Sequence, residues 1–256
     1  MTHSPAASGP GAAPRSIVGL IAGGTLDAEL AALAWLLVEA EVPLVVAAPL
    51  GRLGAGRQLA EAILGSVLGS PPEVAAPSGG SGPNPEPASL DRAAAWALVH
   101  GHRPSLVVEA DSLEALRGSL LEPPVRLSPE ELSFLGCVLV LGPADDRGAG
   151  ALRVLAAHYV RPLARDAHGH AQLLPPAVLA TWDAPLGRYE HFAWGVLPEI
   201  AARIGRRTGD LEADLRHRRD DLAGLATAGV TSPAEVRRLM AGYRAAYADG
   251  HGDRTN

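Results

Sequence analysis

The sequence predicts an α/β protein with a mostly parallel sheet, helices on both faces, an antiparallel strand extension and a helical C-terminus. Three observations predict it. Residues 43–48, 104–110 and 136–142 are short apolar runs without polar alternation, the pattern of strands covered on both faces. Stretches with helical spacing separate these runs, as parallel strands require. Beyond residue 150, the runs at 152–163, 171–182 and 187–193 follow one another without intervening helices, so an antiparallel extension is expected there.

Composition narrows the function classes. A chain of 256 residues suffices for one main domain, and an aromatic content of 4% means that Leu, Val and Ala must fill its core. The formal charge of −6 gives no bulk attraction to nucleic acid or to an anionic membrane, and no nucleic-acid partner is expected. All 22 basic residues are arginine, so no lysine ammonium is available for any catalytic role. Cys137 is the single cysteine and lies in an apolar run, which excludes a disulfide framework and a cysteine-based zinc site. The first fifteen residues are small, polar and proline-rich, without the layout of a secretory signal, and read as a disordered tail. No apolar stretch is long enough to span a bilayer, so a cytoplasmic location is expected.

Taken in order, Thr25 is the expected N-cap of a helix over 26–40, with Asp27 and Glu29 in the first turn, where the helix dipole favours negative charge. A strand over 43–48 leads into a glycine-rich segment at 51–56, and helical spacing returns from Leu59 to Leu68. Residues 69–88 are small residues and prolines with no apolar period and read as a flexible linker. Ser89 is placed to cap a helix over 90–100, and a helix over 112–121 follows the second strand. Ser128, Pro129 and Glu131 spell a capping box. Helices are expected near 195–205, 210–226 and 232–247. The expected organisation is a tail over 1–15, a core over 16–205 and a helical appendage over 206–256.

The glycine-rich segment carries the functional reading. Gly51, Gly54, Ala55, Gly56, Arg57 and Gln58 fall within the spacing of a Walker A phosphate loop, which needs glycine, four residues, glycine, lysine and then serine or threonine. A buried strand precedes the segment and a helix follows it, so backbone N–H groups and the helix dipole would converge on a phosphate. Arg57 replaces the lysine, and a guanidinium grips phosphate oxygens in a broader fork than an ammonium. Gln58 replaces the hydroxyl that would ligate Mg²⁺.

Downstream, Glu109-Ala110-Asp111-Ser112 closes the second strand and opens a helix. Together with the phosphate-loop segment, this stretch resembles the type II/IV secretion ATPases, P-loop motors with a histidine box of the form Thr-x-His-Ala-Asn/Asp-Ser. Ala110, Asp111 and Ser112 match the box, and Glu109 stands where its histidine belongs. The resemblance covers roughly residues 17–200. It implies a P-loop NTPase-like fold, ATP as ligand, hexameric assembly, and partners in a secretion or pilus machine, either a complete ATPase homologue or further copies of the chain. The sequence departs from the pattern at the lysine, the Mg²⁺-binding hydroxyl, the box histidine and the Walker B acid, whose place is taken by the 69–88 linker. Phosphoryl transfer rests on positioned charge, so these losses point to a degenerate member that holds ATP weakly and does not hydrolyse it. The alternative is an active ATPase that uses Arg57 with Glu109 or Asp111.

Other candidates have plainer explanations. His168 and His170 flank a glycine and read as exposed hairpin residues, and His100 and His102 suit a helix C-terminus. Asp145 and Asp146 read as a solvated turn. Arg203, Arg206, Arg207, Arg216, Arg218 and Arg219 form the strongest basic cluster, and interleaved acids predict a salt-bridged, solvated helix face. Trp182, Tyr189, Phe192 and Trp194 gather near two strands and read as core packing.

Overall fold

The structure, a computed structural model, describes residues 15–69, 92–144, 151–165, 168 and 170–252. The chain is α/β, with a six-stranded mixed sheet in the order β2-β1-β3-β4-β7-β8. Strands β1 (Leu44–Ala48), β2 (Ser105–Glu109) and β3 (Cys137–Pro143) are the three apolar runs, and β1 pairs in parallel with both of the others. Strands β4 (Leu152–Tyr159), β7 (Ala177–Asp183) and β8 (Arg188–His191) continue the sheet antiparallel. The short pair β5 (Ala164–Arg165) and β6 (Ala171–Gln172) forms a separate hairpin.

Both faces of the parallel half are covered, which is why its strands carry apolar residues without alternation. One face packs Val46, Ala48, Val107 and Leu139 against α1 (Ile17–Ala22), α2 (Ala28–Glu39) and α3 (Leu53–Leu68). The other packs Val45, Ala47, Val108 and Val138 against α4 (Arg92–Val99), α5 (Leu113–Leu121) and α6 (Pro129–Leu132). Both bonds of the capping box are made at α6: Glu131 N–H donates to Ser128 Oγ, and Ser128 N–H donates to the Glu131 carboxylate. Cys137 is buried in β3, where burial pushes its thiol up to about 12, as suits an inert structural cysteine.

Three expectations are corrected. The cap of α2 is Asp27, whose Oδ1 accepts from Leu30 N–H at 2.9 Å, because Thr25 is drawn away to the sheet: its carbonyl accepts from Val154 N–H at 2.8 Å. Helix α3 starts at Leu53, well before Leu59, so most of the glycine-rich segment is helical. The C-terminal helices α8 (Thr208–Thr227) and α9 (Pro233–Gly252) belong to the main core. Leu211, Leu222, Val236 and Met240 join the cluster that holds α1 to α3, so the core crosses the boundary expected near residue 205. Residues 1–14, most of the 69–88 linker, Ser89 and Asp145-Asp146 lie outside the described residues. No described helix is long and apolar enough to cross a membrane.

Candidate functional site

From the adjacent strands β1 and β2 the chain departs toward opposite faces, α3 to one and α5 to the other. Such a divergence opens the crevice where open α/β sheets bind ligands, just beyond the carboxyl ends of the strands. At these carboxyl ends stand the turn at 49–52 and Glu109, Ala110, Asp111 and Ser112. The fold therefore brings together the two segments singled out in the sequence.

Their meeting is a hydrogen bond. Gly51 N–H donates to Glu109 Oε1 at 2.6 Å. Glycine is needed at position 51 because its φ is +72°, at the third position of a turn closed by Arg52 N–H donating to Pro49 carbonyl at 2.8 Å. Ala55 N–H and Gly56 N–H both donate to Arg52 carbonyl, at 2.9 and 3.2 Å. Arg57 and Gln58 are the fifth and sixth residues of α3, with their amides inside its ladder. A phosphate cradle requires successive free N–H groups turned inward. In this chain most of those groups have protein acceptors, and the first of them already holds a carboxylate.

Gly56 has a packing reason. It is buried on α3, and a Cβ there would stand 2.8 Å from Val107 Cγ1 and 2.9 Å from Ala48 Cβ, so its lack of a side chain lets the helix lie close to β1 and β2. Gly54 is exposed with nothing within 4 Å of a Cβ. Arg52, Arg57, Gln58 and Asp111 are exposed, and Glu109 is half-buried. Ser112 caps α5, accepting from Ala115 N–H at 3.1 Å. A cavity of about 30 Å³ lies elsewhere, between Arg117, Leu132, Val160 and Pro176, and holds no more than a water or two.

The arginine cluster is in part interior. Asp214 and Arg218 on α8 are fully and nearly fully buried. Asp214 accepts from Arg218 Nε at 2.8 Å, Arg206 Nη1 at 2.6 Å and Tyr243 Oη at 2.8 Å, while Arg218 Nη1 reaches Glu39 at 2.5 Å. Burial works against the charged Asp214 carboxyl, but these donors outweigh it and hold the group below the usual carboxylate range. Arg218 also stacks on Trp35, 4.4 Å from the ring centroid. This is a clamp joining α2, α8 and α9, and it corrects the expectation of a solvated face at Arg206 and Arg218. Arg216 is exposed, and Arg219 is half-buried and paired with Asp220 at 2.8 Å. The stripe Leu211, Asp214, Arg218, Leu222 has helical spacing, and that spacing was the sequence signal for a shared buried face.

The aromatic group divides. Trp182 and Tyr189 pack edge to face at 5.1 Å, whereas Phe192 and Trp194 are 40% and 77% exposed and fill no core. His168 and His170 are exposed beside the β5–β6 hairpin. His100 stacks on Trp96 at 4.1 Å. His191, absent from the sequence candidates, contacts Asp27 at 2.8 Å and lies 3.8 Å from Glu29. Burial opposes its charged form, but the Asp27 hydrogen bond and both carboxylates raise its pKa. Among the described residues no group of three or more His, Cys, Asp or Glu side chains is placed to hold a metal ion.

No model of a known protein family matches the chain, and no curated protein matches it.

Proposed function

We propose that the chain is a degenerate P-loop NTPase-like protein that serves as a non-hydrolysing structural or regulatory component of a secretion or pilus assembly. The observation that carries this reading is the Glu109–Gly51 hydrogen bond between the carboxyl ends of β1 and β2. A carboxylate takes the leading amide of the strand–helix turn, where a phosphate would otherwise be held, and the amides of Arg52, Ala55 and Gly56 donate to backbone carbonyls. Arg57, exposed on the second turn of α3 in the place of the loop lysine, gives a weak, charge-dependent contact to an ATP phosphate. The residues present do not suit a catalytic Mg²⁺, because Gln58 brings no hydroxyl and lies inside the helix. The partner is a complete ATPase homologue or further copies of this chain.

Separate measurements of ATP binding and phosphate release test the reading. Purified chain with ATP and Mg²⁺ is expected to bind weakly and to release no phosphate beyond a single equivalent. Arg57→Ala is expected to remove the part of this binding made at the start of α3. Sustained turnover, lost in both Arg57→Ala and Glu109→Gln, would overturn the proposal in favour of an active ATPase.

A further inference from the structure

We propose that Arg153 and Trp182 form a binding subsite for an oxyanion, a phosphate or carboxylate group, at the same end of the sheet as the Gly51–Glu109 contact. Strand β4 runs antiparallel to β3, and β7 antiparallel to β4, so β7 runs with the parallel strands. Arg153 pairs in register with Gly142 near the end of β3, and Trp182 precedes the last residue of β7. Both therefore stand at the carboxyl-end rim, where ligands of such sheets bind.

The local build is specific. Strands β4 and β7 part beyond Ala156 and Thr181, and the turn at 23–25 enters beside β4, fixed by Val154 N–H donating to Thr25 carbonyl. The Arg153 guanidinium lies over Trp182, with Cζ 3.7 Å from the ring centroid. Its Nη2 nestles against Gly24, where a Cβ would stand 3.1 Å away and where φ is +69°. The Nε–H of Arg153 and the Nε1–H of Trp182 are both buried, and neither has a hydrogen-bond acceptor. Buried donors are satisfied in the great majority of folded proteins, so two in one contact call for an explanation.

Charge adds an independent demand. Among the described residues Arg153 makes no ion pair, and the nearby carboxylates are engaged: Asp27 by Leu30 N–H and His191, Asp183 by Leu186 N–H. Two similar cases differ. Arg161 also has a buried, unbonded Nε, but Glu199 meets its charge at 2.9 Å. Trp35 also has an unbonded Nε1, but the arginine stacked on it is neutralised by Asp214 and Glu39. An anionic acceptor answers both demands at Arg153 and Trp182 at once, and guanidinium geometry favours oxyanions. Both residues are half-buried, so the pair is reachable from solvent by a small side-chain movement.

The test follows the four tryptophan indole N–H resonances of the ¹⁵N-labelled full chain, with Trp182 assigned through Trp182→Phe. Inorganic phosphate, ADP and acetate are titrated separately at constant ionic strength. A saturable shift of the Trp182 indole, exceeding those of exposed Trp96 and Trp194 and at least fivefold smaller in Arg153→Gln, is expected. A response to phosphate and ADP alone identifies a phosphoryl ligand, and a response to acetate as well identifies any oxyanion; both support the subsite. Absence of a saturable shift in the wild-type chain with all three overturns it, as does a shift undiminished in a folded Arg153→Gln. Arg57→Ala is expected to leave the response intact, so this subsite stands or falls independently of the proposed function.

Discussion

Replacing Asp214 with alanine is expected to destabilise the chain by about 3–5 kcal/mol, the cost of removing one member of a buried ion pair. The magnitude follows from what is left behind. Arg218 is nearly buried and would keep Glu39 as its carboxylate partner, while Arg206 and Tyr243 would each lose their hydrogen bond to Asp214. The clamp joins α8 to both α2 and α9, so its loss loosens three helices of the main core together. Urea denaturation of wild type and Asp214→Ala provides the comparison. The pH dependence has a defined sign. Asp214 has a lowered pKa in the folded chain, so its contribution is complete above the ordinary carboxylate value of about 4 and is lost as pH falls through the folded value. Wild type is expected to lose stability in that acid window, and Asp214→Ala to show a shallower acid slope.

The second large effect is expected at Gly56. A Gly56→Val substitution forces methyl groups against Val107 and Ala48 and is expected to cost roughly 1–3 kcal/mol, as for overpacked cores generally. Gly54→Ala, two residues away, meets nothing within 4 Å and is expected to stabilise α3 by about 0.5–1 kcal/mol. A glycine retained to receive phosphate would show no such contrast in the absence of ligand. Thermal denaturation of the two variants separates packing from phosphate binding as the reason for these glycines.

The parallel half of the sheet was legible because its strands are continuous apolar runs bounded by glycine and proline, and no other element gives that pattern. Helices α5 and α6 were legible through Ser112 and Ser128, whose caps depend only on local chemistry. The start of α3 is not legible, because glycine in the first turn looks like a loop in sequence. Its use here, close contact between Gly56 and two strands, is a tertiary fact. Sequence points to Thr25 as the cap of α2 with Asp27 in the first turn, but Asp27 is the cap, and the Thr25 carbonyl is held by Val154, far away in sequence. At the candidate site, spacing brought out Gly51 and Glu109 separately, but their hydrogen bond depends on β1 and β2 lying side by side. Arg153 carries no local sequence signal, since its partners Gly24 and Trp182 are distant along the chain.

The Gly51 backbone amide tests the central claim most directly. In ¹⁵N spectra of the wild-type chain, its resonance is expected to stay in place on addition of ATP and to move when Glu109 is changed to Gln, because the carboxylate is its acceptor. A saturable ATP-induced shift of Gly51 in the wild type, with no response to Glu109→Gln, would contradict the account.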